Sequence, residues 1–386
     1  MDKQNKGFNP GRATYYMMIL ICACLIGAVL KITSSIIIPI VIAMLLTFVM
    51  FPIVRWLDKW RIPRIISTIL VVTIIVAGLY VFGMVLYTTG TNIVGVADAY
   101  EGRVTEVYIW AGRLLDLPYD EYLSIWQNIW GQEGFRNIAQ DIAFSLLNGF
   151  SSFAANALLV ILFVVFFLLE ANFIGEKLKT AFNERAERVT LIGEDLITQV
   201  TRYLTAKFFI SLANGIIFAV AFYFIGLEFA ILWGVLQFMM NFIPNLGSIT
   251  AGIAISLFAL IQFWPDPTPI ILVVAVVLGV NMFLCNIFDP KIVGDRVGIS
   301  PLMVLLSLII WGWIWGFAGM VLAVPMMVII KIICQNIPFM EPIAILMGSV
   351  KSVKAIQAEQ AELAKQAIEI IIKEAEENEE DNTEAS

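Results

Sequence analysis

The chain has 386 residues, of which 60% are apolar and only 14% are charged. Soluble domains are nearer half apolar and a quarter charged, so this composition excludes an ordinary soluble fold and indicates a membrane protein. The formal net charge of −7 is concentrated at one end, because residues 355–386 hold ten acids and two bases. The sequence contains no histidine, which removes the commonest metal ligand and proton shuttle.

Four apolar runs alternate with polar segments in the first 169 residues, at 15–30, 36–54, 65–86 and 153–169. About 20 apolar residues in helical form cross a bilayer. The first run follows three bases, as in a signal peptide, but has no small-residue cleavage site, so we predict an uncleaved helix. From 208 to 333 the chain is almost continuously apolar, and we predict a transport core there.

The distribution of bases predicts the orientation. Bases concentrate in 1–14, between the second and third runs, and in 170–207, and segments rich in Lys and Arg stay in the cytoplasm. The interpretation is a multi-pass inner-membrane protein with both termini in the cytoplasm. Segment 87–152 then lies outside as a small helical cap, with a ligand-binding domain as the alternative. Segment 170–207 is a cytoplasmic helical segment.

The C-terminal region, 334–386, has a helical pattern followed by acidic residues typical of disorder. A short coiled coil between protomers and a solvated amphipathic helix both fit this pattern. The predicted fold class is an all-α membrane protein with about eight membrane segments. Two of these segments are interrupted by Pro or Gly as helical hairpins that could form an inverted repeat.

The first interruption falls in the middle of an apolar run from 229 to 263. Proline removes a backbone donor, and irregular backbone at membrane depth is tolerated only inside protein or beside water. We therefore predict a substrate path lined by polar or conformationally special residues at this break. They are Asn241, Pro244, Asn245, Gly247, Ser248 and Thr250, with Asn281 nearby.

The second interruption lies within 301–333, where Gly312, Gly316 and Gly319 separate tryptophans and Pro325 follows. Interrupted segments in corresponding positions are typical of a transporter's binding site. We predict that the two breaks face each other near the midplane and hold the substrate. The alternative is that these glycines only let helices pack closely.

A loop with balanced charges separates the two interrupted units. It contains Asp289, Pro290, Gly294, Asp295 and Arg296, and it is cytoplasmic in the predicted topology. Together with Pro325, these residues are candidates for a gate or hinge, and a plain capped turn is the alternative.

Motifs of enzymes and primary pumps do not occur in this sequence: it has no Walker loop, no dinucleotide fingerprint and no nucleophile–base pair. We expect no enzymatic activity, no cofactor, no metal site and no nucleic-acid partner. The four cysteines have neither zinc-site spacing nor a place in the long polar loop, so we expect them to pack as small apolar groups. The expected partners are the lipid bilayer and a small polar solute.

The chain resembles the autoinducer-2 exporter family of bacterial membrane proteins over residues 15 to 335. Four stretches carry the resemblance. They are Ile38-Pro39 with Ala43; 52–64 with its Ile62-Pro63-Arg64; 243–248; and 289–301 continued by Gly316-Phe317-Ala318-Gly319 and Ala323-Val324-Pro325. The tryptophans of 311–315 depart from the family's smaller, glycine-rich pattern.

The resemblance implies secondary export of the small signalling molecule autoinducer-2 by a homo-oligomer, as in quorum sensing. It also leaves sodium/proton antiport open, which would need a buried carboxylate. Glu170, Glu228 and Asp289 are the candidates near span ends. A third alternative is a membrane scaffold that transports nothing and works through the cap or the tail. The amides and hydroxyls of the interrupted segments favour a neutral, hydroxylated solute.

Overall fold

The computed structural model describes residues 10–115, 135–170, 186–284, 298–337 and 339–349, together with residues 173, 177, 180 and 181. These residues are almost entirely helical, and within them the β-type contact is a single bridge between Ile299 and Gly348. The helices are α1 (Pro10–Ile32), α2 (Ser34–Lys59), α3 (Arg64–Leu115), α4 (Phe135–Glu170), α5 (Ala186–Ile225), α6 (Ala230–Met240), α7 (Leu246–Phe263), α8 (Pro267–Phe283), α9 (Pro301–Asn336) and α10 (Glu341–Met347).

The fold is that of an all-α membrane protein. Six of the described helices are long and apolar enough to cross a bilayer, and α6 and α8 are shorter apolar helices. These runs form helices because the bilayer core offers no water, and a helix satisfies its backbone amides and carbonyls with hydrogen bonds inside the segment.

Three helices continue past the ends of the apolar runs that predicted them. α3 continues from the membrane span to Leu115, and α4 begins at Phe135, before its span at 153. The described part of 87–152 is therefore helical and extends two packed transmembrane helices. Residues 116–134 lie outside the described residues, and the small helical cap stays a prediction. α5 likewise joins the predicted segment 170–207 to the following span. No proline lies within these three helices, so nothing in them breaks the helical hydrogen bonding at the membrane boundary.

The first predicted break forms a helical hairpin. α6 ends at Met240, residues 241–245 turn, and α7 returns antiparallel to α6. A Cβ atom on Gly247 would lie 1.8 Å from the carbonyl oxygen of Met240. Trp233 meets Phe258 at the other end, with ring centroids 5.3 Å apart. α6 has 11 residues, and with its preceding turn the hairpin reaches about 20 Å into the protein.

The second predicted break also forms a hairpin, within α9. Gly316 has φ 60° and ψ −137°, which divides α9 into two halves. Ser307 Oγ donates to the carbonyl oxygen of Ala323 at 2.7 Å, a contact possible only if the halves run antiparallel. A Cβ atom on Gly319 would lie 1.8 Å from the carbonyl oxygen of Trp311. Both hairpins therefore close by bringing a glycine against a facing carbonyl.

Two hydrophobic clusters build the core, and α5 joins them. The first cluster combines α2, α3, α4 and α9 with the first half of α5, including Leu204. The second combines the rest of α5, from Phe218, with α6, α7 and α8. The α6–α7 hairpin bridges them, because Ile243 at its tip belongs to the first cluster. The stretch of α5 between Leu204 and Phe218 therefore lies between two apolar bodies.

Candidate functional site

A polar stripe interrupts the buried face of α5 between the two clusters. Lys207, Ser211 and Asn214 are 4%, 0% and 0% exposed. Their spacing of four and three residues places all three on one face of the helix. Polar side chains inside a membrane bundle are costly and usually mark a solute or ion pathway.

Matching polar residues on α6 and α8 meet this stripe. Gln237 and Asn241 are 0% and 2% exposed and lie one turn apart on α6. Asn241 Nδ2 donates to Ser211 Oγ at 3.0 Å, which joins α6 to α5. Gln237 Nε2 donates to Asn281 Oδ1 at 2.8 Å, which joins α6 to α8. These four residues, together with Lys207 and Asn214, form what we call the polar layer.

Glycines allow the close approach of α5 and α6 that buries this layer. A Cβ atom on Gly215 would lie 2.7 Å from the carbonyl oxygen of Gly234, and one on Gly234 would lie 2.6 Å from that of Gly215. This contact and the Ser211–Asn241 bond fix an antiparallel register. In that register Asn214 lies at the level of Gln237.

Three atoms of the layer are buried without a hydrogen-bond partner in the described part of the chain. They are Asn214 Oδ1, Asn214 Nδ2 and Gln237 Oε1. An unsatisfied buried donor or acceptor costs about 1–3 kcal/mol, so these amides offer bonds that a polar ligand would complete. The layer is enclosed in this conformation. A groove of about 310 Å³ opens elsewhere, between α3 and the start of α6, beside Thr88 and Thr89.

The structure brings two of the residues predicted at or near the first break into this layer. Asn241 and Asn281 belong to it through their hydrogen bonds, and Ser248 is buried on α7. Asn245 is exposed at the hairpin tip with φ 60°. Thr250 is exposed and donates to the carbonyl oxygens of Leu246 and Gly247 in its own helix.

Pro244 and Gly247 shape the turn of the first hairpin. Pro244 is half-buried in the turn, and Gly247 makes the close contact with Met240 described above. The two residues determine where the hairpin reverses. They do so through backbone groups, namely the carbonyl oxygen of Pro244, which accepts from Leu246 N–H, and the approach of Gly247 to Met240.

The glycines predicted at the second break make packing and turn contacts. Gly316 supplies the left-handed backbone, Gly319 meets Trp311, and a Cβ atom on Gly312 would lie 3.0 Å from Met320 Cγ. Trp315 Nε1 donates to the carbonyl oxygen of Leu30 at 3.0 Å, which ties the hairpin tip to the end of α1. A role of these glycines in the substrate path stays a prediction.

Four side-chain hydrogen bonds place the two breaks in the bundle: Asn241–Ser211, Gln237–Asn281, Ser307–Ala323 and Trp315–Leu30. Those of the first break lead to α5 and α8, and those of the second stay within α9 or lead to α1. Pro325 is buried inside the returning half of α9. The predicted gate residues Asp289, Pro290, Gly294, Asp295 and Arg296 lie outside the described residues.

The sequence interpretation omitted Lys207, Ser211, Asn214 and Gln237. Each is a lone polar residue in an apolar run, so hydropathy averages conceal it. Their signal is periodic, because 207, 211 and 214 share one helical face and 237 and 241 share another.

The structure describes two of the three carboxylates considered for antiport, and neither belongs to the polar layer. Glu170 forms an ion pair with Lys177, and both side chains are about half exposed or more. Glu228 is exposed in the turn before α6, where its backbone N–H donates to Gln262 Oε1 at 2.8 Å. Asp289 lies outside the described residues. The buried polar residues of the described ranges include two lysines and no carboxylate.

The far end of the first hairpin is fastened to the extension of α3. Arg103 Nη1 donates to the carbonyl oxygen of Gln262, and Gln262 Nε2 donates to the carbonyl oxygen of Gly226 at 2.8 Å. Burial, and then the carboxylate of Glu228, raise the pKa of the Tyr100 phenol. The phenol therefore stays neutral. The hydrogen bonds of Arg103 and Gln262 anchor the hairpin at the end opposite its tip.

Comparison with known proteins agrees with this architecture. The profile of the AI-2E family transporters matches residues 17–339. TqsA of Escherichia coli K12, named as an AI-2 transport protein, is 28% identical over 341 residues, which cover 87% of this chain and 94% of TqsA. A Haemophilus influenzae relative is 30% identical over 336 residues, covering 85% of this chain and 94% of the relative.

A Borreliella burgdorferi relative is 26% identical over 346 residues, covering 89% of this chain and 93% of the relative. The names of the Haemophilus and Borreliella proteins assign transport provisionally and give no substrate. The family profile spans the membrane helices, both hairpins and the whole polar layer. The chain is therefore a multi-pass membrane protein that belongs to the AI-2E transporter family.

Proposed function

We propose that the protein is a secondary transporter that exports a small, polar, uncharged solute of the autoinducer-2 type across the bacterial inner membrane. The family and the name of TqsA support transport of such a solute. We also expect a homo-oligomer with both termini in the cytoplasm, and no enzymatic activity.

The observation that carries this proposal is the polar layer of α5, α6 and α8. Its unsatisfied groups belong to the amides of Asn214 and Gln237, which both donate and accept hydrogen bonds. Neutral amides satisfy hydroxyl and carbonyl groups of a ligand without the cost of burying an unpaired charge. A small hydroxylated solute therefore fits these two amides better than a free ion does.

Flux measurements in proteoliposomes test this proposal against sodium/proton antiport and against a scaffold without transport. We expect loaded autoinducer-2 to leave the liposomes faster than from protein-free liposomes, and a sodium gradient to leave the internal pH unchanged. A sodium-driven pH change without solute flux would support antiport, and the absence of both would support the scaffold.

The orientation can be tested by cysteine labelling after the native cysteines are replaced. We expect a cysteine at Gly102 to react with an impermeant maleimide from outside the cell, and one at Trp60 to react only after permeabilisation. Both sites suit the test, because Trp60 is 68% exposed and a Cβ atom on Gly102 meets nothing within 4 Å. Labelling of position 60 in intact cells would reverse the proposed topology.

Two truncations separate the acidic tail from the segment that precedes it. We expect a cut after Lys354 to leave an inserted protein that still transports. A cut after Leu346 should reduce flux strongly, because it removes two backbone bonds to the start of α9. Ser300 N–H donates to the carbonyl oxygen of Met347 at 2.9 Å, and Ser349 N–H donates to that of Gly298 at 2.8 Å. Equal flux in both truncations would show that this pairing is dispensable.

A further inference from the structure

The turn between α2 and α3 carries a dense group of cations and aromatic rings. We call it the basic–aromatic patch and define it by Arg55, Trp56, Lys59, Trp60, Arg61 and Arg64. Arg55, Lys59 and Arg61 are exposed, and the turn is short, since α2 ends at Lys59 and α3 begins at Arg64. The patch therefore lies directly at the ends of two membrane spans.

The single acid within the patch leaves most of the positive charge uncompensated. Asp58 Oδ2 forms an ion pair with Arg64 Nη2 at 3.6 Å, which compensates one of the four cations. Arg55, Lys59 and Arg61 lie on the exposed side of this turn. Arg61 adopts φ 56°, and its N–H donates to the carbonyl oxygen of Asp58 at 3.0 Å, so a tight turn fixes its position.

The two tryptophans place the patch at the lipid interface. Trp56 and Trp60 are 56% and 68% exposed, and their ring centroids lie 5.4 Å apart. Large exposed indoles at the end of a membrane span lie at the level of the lipid headgroups. Arg55, Lys59 and Arg61 lie at the same end of the span, so the anion within their reach is a lipid headgroup rather than a solute in bulk water.

Two buried polar atoms beneath the patch have no hydrogen-bond partner among the described residues. They are Arg64 Nη1 and Ser67 Oγ, and Ser67 is 0% exposed. Residues three apart share a helical face, so both groups lie on the same side of α3. The Arg64 side chain is 34% exposed, and its guanidinium is a donor suited to phosphate oxygens.

We propose that the basic–aromatic patch is a binding site for the headgroup of an anionic phospholipid. The cations attract the phosphate, the guanidinium of Arg64 donates hydrogen bonds to it, and the tryptophans lie against the glycerol and upper acyl region. This site is separate from the polar layer, and the proposal does not depend on which solute is transported.

Native mass spectrometry of the full chain with added phosphatidylglycerol or phosphatidylcholine tests the site. We expect the wild type to retain phosphatidylglycerol preferentially. Combining Arg55→Gln, Lys59→Gln and Arg61→Asn should lower its affinity about tenfold or more, since each surface cation contributes separately. Asn suits the left-handed backbone at position 61. Lys59→Gln alone, at an exposed side chain, should give a smaller loss in a protein that melts as the wild type does.

Lys31→Gln is the matched control, because Lys31 is an exposed cation at the other end of the α1–α2 pair and also lies over a tryptophan, Trp313. It should leave phosphatidylglycerol retention unchanged. Equal retention of both lipids by the wild type, or equal retention by wild type and triple variant, would overturn the proposal. A rise in lipid affinity after a cut at Lys354 would also overturn it, because the acidic tail would then be the occupant.

Discussion

Gly247→Ala and Gly319→Ala are each expected to disrupt one hairpin and to reduce the amount of folded protein in the membrane. In both cases the new methyl group would lie 1.8 Å from a backbone carbonyl oxygen, that of Met240 or Trp311. Neither oxygen belongs to a flexible side chain, so the two halves of the hairpin must separate. Overpacking a core with an extra methyl group destabilises a protein by about 1–3 kcal/mol. We expect an overlap with the backbone to cost at least the upper value.

The measurement is the apparent melting temperature of the purified protein together with its size-exclusion profile. We expect a fall of about 10 °C, or aggregation, in each variant. Gly279→Ala is the matched control, because a Cβ atom there meets nothing within 4 Å and alanine favours helix over glycine. Wild-type melting of the Gly247 and Gly319 variants would show that the hairpins do not close as described.

Asn214→Leu is expected to reduce transport strongly while leaving the protein as stable as the wild type or more stable. Both amide atoms of Asn214 are buried and have no hydrogen-bond partner in the described ranges. Leucine has a similar shape and removes that desolvation cost, about 1–3 kcal/mol for each unsatisfied group. It also removes the bonds offered to a solute, so we expect flux to fall at least about tenfold, the equivalent of one such bond.

Melting temperature and proteoliposome flux measured on the same preparation give the result. Thr250→Val is the control, because Thr250 is exposed and its hydroxyl bonds only within its own helix. It should change neither quantity. A lower melting temperature with unchanged flux in Asn214→Leu would make Asn214 a structural residue with an undescribed partner.

The breaks were predictable because proline and glycine act locally. Pro244 removes a helical donor whatever surrounds it, and Gly316 permits a backbone angle closed to other residues. The structure has a turn at each of these places. Each hairpin closes by packing a glycine against a facing carbonyl oxygen. This contact depends on which residues of the two halves face each other, and a local sequence pattern does not contain that information.

The lengths of α3 and α5 were predicted less well. Hydropathy marks where a helix leaves the bilayer, but the helix itself continues until a breaker occurs. Nothing between Leu86 and Leu115 stops α3.

The polar layer was missed for a different reason, because it is assembled from single residues on three helices. Asn214 and Gln237 come to the same level only through the α5–α6 contact at Gly215 and Gly234.

The most direct test of the account is the reactivity of a cysteine at Ser211, in the centre of the polar layer, in a background without native cysteines. Ser211 is 0% exposed, so a cysteine there should react with a small methanethiosulfonate only when the layer opens. We predict slow reaction from each side of the membrane and protection by autoinducer-2. No reaction from either side, in protein that transports the solute at the wild-type rate, would contradict the account.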